Sequence, residues 1–149
     1  MIVSAHDVTG YILDDRTMTG LKLQKLLFYC QAWSLVWDGE PLFGERIFAW
    51  PSGPVVREVY CGYFEVGSPW PGAHPERLSG RQRATVAKVL ASYGSKPSRL
   101  LKDLTRNEAP WRAARATVRS GQRGESEITL GSLADYYGAM VSKDSLQRA

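Results

Sequence analysis

The sequence predicts a mainly α-helical, compact single domain spanning residues 1–149, with about six helices around a central buried helix at 19–37 and a minor pair of short strands near 45–50 and 126–129. Three observations predict it. The segment from Gly20 to Trp37 is apolar around nearly its whole circumference, as a helix enclosed by its own domain must be. Apolar segments of helical period recur along the chain, separated by Ser, Thr, Gly and Pro signals. A chain of 149 residues, 44% hydrophobic, is long enough for one core, and no repeat, low-complexity tract or long linker divides it.

The elements follow in order. Ser4 is placed to cap a first helix through Val8, Tyr11 and Ile12, with Asp7 as its acidic partner and an end near Asp14-Asp15. Thr19 caps the central helix, which Asp38-Gly39 stops. After the turn at Glu40–Gly44, Glu45–Trp50 is aromatic and β-branched enough for a strand. Pro54 suits the first turn of a helix, so Val55–Phe64 is predicted to be a third helix with Val56, Val59, Tyr60 and Tyr63 facing inward. Gly67–Pro75 is a loop anchored by Trp70. Ser79 caps a helix to Tyr93, Ser98 opens another to Thr105, and Pro110 sets up a further one from Trp111 to about Arg119. Residues 120–124 form a Gly-containing basic loop, and Glu127–Thr129 a short strand able to pair with 45–50. Thr129 or Ser132 caps the last helix, and the tail at 143–149 is expected to fray.

Composition narrows the function more by exclusion than by indication. No stretch reaches the ~18 apolar residues of a membrane span and the N-terminus lacks a signal-peptide pattern, so a cytoplasmic location is expected. Cys30 and Cys61 are too few for a disulfide framework and are expected to be reduced thiols. His6 and His74 lie far apart and no Cys or His spacing fits a metal site, so no metal and no cofactor are expected. No nucleophile elbow, Gly-rich phosphate loop or comparable signature supports an enzyme. The net charge of +4 leaves nucleic acid open as a minor alternative, carried by Arg112, Arg115 and Arg119 at helical spacing. Along the central helix, Lys22, Lys25, Tyr29 and Trp33 fall on one side. That stripe is either two lysines flanking core aromatics or a contact patch.

From Leu21 to Tyr60 the chain resembles the defining run of the Panacea domain of SocA-like antitoxins. Leu21-Lys22-Leu23-Gln24-Lys25-Leu26-Leu27-Phe28-Tyr29 is followed by Gln31-Ala32-Trp33, Pro41-Leu42-Phe43, Ala49-Trp50, Gly53-Pro54-Val55-Val56 and Val59-Tyr60. A second segment, Leu104-Thr105-Arg106-Asn107-Glu108-Ala109-Pro110-Trp111, is similar to the family's Leu-Thr-His-x-Glu-x-Pro-Trp, and Ile128 and Tyr136-Tyr137 resemble its closing helix. Arg106 stands where the family has His, and Arg57 where Pro often follows the turn.

The resemblance implies an antitoxin that binds and neutralises a toxin encoded beside it, in bacterial or in phage- and prophage-associated systems. Alternatives are a proteolytic adaptor presenting its partner to an ATP-dependent protease, or a nucleic-acid-binding regulator. It also implies that Leu23, Gln24, Leu27, Trp33, Trp50, Gly53, Pro54, Val56, Thr105, Glu108, Pro110 and Trp111 build the scaffold. Partner contact is then expected at Lys22, Lys25, Tyr29, Arg57, Tyr60 and Tyr63, since Tyr and Arg commonly dominate protein interfaces.

Overall fold

In the computed structural model, which describes residues 3–118 and 126–148, the central helix organises everything else. Helix α1 (Ala5–Ile12) starts from a reciprocal cap in which the Asp7 amide donates to Ser4 Oγ and the Ser4 amide to Asp7 Oδ2, each at 3.1 Å. A two-residue strand β1 (Met18–Thr19) leads into α2 (Gly20–Trp37), where Thr19 Oγ1 accepts from the Lys22 amide. Helix α2 touches α1 and, as they are introduced below, α3, α4, α6 and strand β3. Its residues from Leu23 to Ser34 are all buried, as an all-round apolar sequence demands.

Two glutamines make α2 a template for the loops around it. Gln24 donates to the Val56 carbonyl at 3.1 Å and accepts from the Val56 amide at 2.8 Å. Gln31 donates to the Phe43 carbonyl at 2.8 Å and accepts from the amides of Leu42 and Phe43 at 2.8 and 3.2 Å. Buried backbone with no ladder partner is satisfied in this way by side-chain amides.

Strands β2 (Ile47–Trp50) and β3 (Gly53–Val55) pair antiparallel, Phe48 opposite Val55 and Trp50 opposite Gly53. On the other edge of β2 lies β5 (Glu127–Ile128), with Ile47 opposite Ile128, so the predicted strand pair is present within a three-stranded sheet. The predicted helix Val55–Phe64 does not form. Gly53, at φ +115°, opens a strand, and Pro54 sits opposite Ala49 in the hairpin. Gln24 takes both polar groups of Val56 and holds its backbone extended, at φ −95° and ψ 106°. What remains is a single 3₁₀ turn at Arg57–Val59 and a short strand β4 (Glu65–Val66) paired with β1. Val56 and Val59 face inward as predicted, whereas Tyr60 and Tyr63 face outward because the helical period they were placed on is absent.

The remaining helices follow their start signals closely. Loop residue Trp70 is anchored through its indole N–H, which donates to His6 Nδ1 at 3.0 Å. Helix α3 (Gly80–Tyr93) has a Ser79/Gln82 capping box and buries Val86 and Val89. Helix α4 (Ser98–Asn107) begins directly after Pro97, and the Ser98 hydroxyl shares a 2.7 Å hydrogen bond with that of Thr19 rather than capping the helix. Helix α5 (Ala109–Arg115) carries Pro110 in its first turn and ends before the predicted Arg119. The basic loop predicted at 120–124 lies outside the described residues. Helix α6 (Leu130–Arg148) starts earlier than Leu133, with Thr129 Oγ1 accepting from the Ser132 amide, and its backbone stays helical to Arg148. Once a helix is nucleated each added residue gains a bond, which carries it past Lys143, where a frayed tail is predicted.

The Gln31 clamp yields a direct expectation. Gln31→Leu strands three buried backbone groups and is expected to cost about 3 kcal/mol or more in denaturant unfolding, whereas Leu42→Met next to it costs under about 1.5 kcal/mol. Equal midpoints for the two variants would show that the amide is not holding the 41–44 turn.

Candidate protein-interaction site

Beneath the surface that the hairpin presents, one carboxylate joins three elements. Glu108, at the α4–α5 junction, accepts at Oε1 from the hydroxyl of Tyr29 on α2 at 2.5 Å and from that of Tyr137 on α6 at 2.9 Å. Tyr29 also lies flat against Tyr93 of α3, ring centroids 4.0 Å apart, and the Tyr93 hydroxyl accepts the Trp33 indole N–H at 3.0 Å. Burial pushes the Glu108 carboxyl above its usual range, against the opposing pull of its two tyrosine donors. Burial, and then the Glu108 charge, pushes both tyrosine hydroxyls up as well.

This geometry separates the predicted contact residues. Tyr29 and Lys25 are fully buried, so the Lys22–Lys25–Tyr29–Trp33 stripe is not a surface patch. Strand β3 and helix α4 pack against that side of α2, and only Lys22, at its first turn, remains partly exposed. Lys25 Nζ donates to the Pro54 carbonyl at 3.3 Å beneath the hairpin turn. Scaffold residues do gather around the same hairpin. Trp111 donates its indole N–H to the Trp50 carbonyl at 2.8 Å, and the buried Thr105 approaches Gly53. Leu23 and Leu27 fill the core, and Pro110 is buried at the start of α5.

Arg57, Tyr60 and Tyr63 are each exposed. The Arg57 guanidinium lies 3.9 Å over the Phe48 ring, and Tyr60 packs on Trp50 with centroids 5.0 Å apart. Tyr60 is 49%, Tyr63 67% and Phe64 81% exposed, three aromatic side chains open to solvent within five residues. Phe64 is missing from the predicted set of contact residues. Its signal was the density of aromatic residues in Tyr60–Phe64.

Other predicted chemistry is placed elsewhere. The Arg115 guanidinium donates to the Ala49 carbonyl at 3.1 Å, Arg112 is exposed one turn earlier, and Arg119 lies outside the described residues. Arg106, in the position of the family's His, lies 5.3 Å from the Trp111 ring centroid. Cys30 is buried, Cys61 half-buried, and both are free thiols. Among the described residues no group of three His, Cys, Asp or Glu could hold a metal, and no helix is long and apolar enough to cross a membrane.

Because the folded state holds the Glu108 proton more tightly than the unfolded chain, the stability linked to it is complete below about pH 4.5, the ordinary glutamate value, and is lost as pH rises through the higher folded value. Glu108→Gln is expected to flatten that slope in a pH series of thermal melts. Identical pH profiles for the two proteins would show that the carboxylate does not titrate with folding.

The family model for the antitoxin SocA-like Panacea domain matches residues 23–112. No curated protein and no solved structure matches the chain. The matched span runs from α2 through the hairpin and α3 into α5, and it includes both Tyr29 and Glu108, the interaction that closes the interior. The chain belongs to the Panacea domain family of SocA-like antitoxins.

Proposed function

We propose that this protein is a non-catalytic antitoxin that acts in the cytoplasm and neutralises a cognate toxin protein by direct complex formation, through the face bearing Arg57, Tyr60, Tyr63 and Phe64, with Lys22 near its rim. Membership of an antitoxin family carries the reading. The choice of face rests on exposure and support: three aromatic side chains between 49% and 81% exposed are an unusual surface for a chain that gains nothing by keeping them wet. Buried against a partner, each ring contributes a large apolar area, and Tyr60 already rests on Trp50, which limits the entropy it loses on binding. The adaptor and nucleic-acid alternatives have no comparable feature in their favour.

Co-expression with the product of the adjacent gene tests the reading. Rescue of growth and co-purification are expected. Tyr63→Ala combined with Phe64→Ala is expected to weaken the complex by at least about 2 kcal/mol, roughly thirtyfold in Kd, while leaving the melting temperature within a few degrees of wild type. Full rescue by the double variant would move the contact to another face, and loss of the toxin from cells only when an ATP-dependent protease is present would favour an adaptor.

A further inference from the structure

We propose that protonation of Lys25 releases the β2–β3 turn, so that one side chain inside the fold governs the order of the surface segment beginning at Trp50. This is independent of the antitoxin reading, since it concerns the protein alone and holds whether or not a toxin uses the Tyr60 face.

The geometry at Lys25 is that of a cation short of partners. An ammonium carries three N–H donors, and the acceptor that this fully buried one meets is the Pro54 carbonyl at 3.3 Å. The lysine stem fills the space that a side chain at Gly53 would take. A Cβ added to Gly53 would lie 2.7 Å from Lys25 Cε, 3.1 Å from Lys25 Nζ and 3.3 Å from Thr105 Oγ1. Gly53 itself stands at φ +115°, which glycine adopts readily, and it presents no side chain to block the lysine from moving outward.

The groups facing Lys25 do not neutralise it. Helix α4 contributes Lys102, of the same charge, and Thr105, whose hydroxyl donates to the Lys102 carbonyl at 2.9 Å. Strand β3 contributes Gly53, Pro54 and Val55, none of them ionisable. Along α2, Lys22 stands one turn earlier at the surface, and Tyr29 one turn later gives its hydroxyl to Glu108. Burial, and after it the Lys102 charge, draws the ammonium down from 10.5 to about 7, so both of its forms are populated near neutrality.

Opening the turn returns Lys25 to water and restores its ordinary proton affinity. Falling pH therefore favours the open turn, and rising pH from about 7 towards 10.5 closes it. Opening works against the contacts on either side of the turn, where Trp111 holds the Trp50 carbonyl and Gln24 holds Val56, so loosened protection at Val55 and Val56 reports it.

Two measurements on the protein alone test this. The Lys25 side chain is titrated by carbon-detected NMR, with a midpoint near 7 expected against 10.5 for an ordinary lysine. In parallel, amide exchange at Val55 and Val56 is followed at about pH 7 and about pH 8.5. After correction for intrinsic exchange, protection is expected to rise about tenfold with pH in the wild type and to stay flat in Lys25→Met. Should Lys25→Met fail to fold, Lys102→Ala replaces it: removing the neighbouring charge is expected to raise the Lys25 midpoint and to shift the protection change upward with it. A midpoint near 10.5, equal wild-type protection at both pH values, or a protection change that ignores either substitution overturns the proposal.

Discussion

A carboxylate in an apolar interior is costly unless donors meet it, and Glu108 is met by two tyrosine hydroxyls at the same oxygen. That requirement locates the α4–α5 junction, because Glu108 satisfies it only when the junction lies against α2 on one side and α6 on the other. Pro110 and Trp111 follow Glu108 directly, so once the carboxylate is seated the Trp111 indole is delivered to the Trp50 carbonyl. The hairpin, and with it the exposed aromatic face, is thus positioned by a hydrogen bond formed deep in the core.

The second constraint comes from α2. Its all-round burial leaves no polar face, so its two glutamines and one lysine turn their polar ends toward backbone that lacks ladder partners. Neutral amides do this at little electrostatic cost, each serving as donor and acceptor at once. Lys25 does it as a cation in a poorly solvating place. The same helix therefore provides two uncharged clamps and one titratable contact, and the titratable contact lies under the hairpin turn rather than under the 41–44 turn.

Much of this was legible from local signals. The starts of α1, α2 and α3 were readable because a cap is closed by residues three positions apart, as Ser4 with Asp7 and Ser79 with Gln82. Strand β2 was readable from its aromatic and β-branched run, and Glu127–Thr129 only as a short segment able to pair with it. The stretch after Pro54 was not. A proline there serves equally at a helix start and in a hairpin, and the choice was made by Gln24, 32 residues away, which takes both polar groups of Val56. From that one choice followed the outward turn of Tyr60, Tyr63 and Phe64.

The sequence by itself determined a helical domain around a buried α2, its cap positions, the motif residues of the antitoxin family and the absence of any local catalytic or metal-binding signature. Only the tertiary structure decided which of the candidate contact residues meet solvent. Spacing along a helix says which side chains share a side, as Lys22, Lys25 and Tyr29 do. Whether that side faces water or β3 and α4 depends on contacts made by residues distant in the chain.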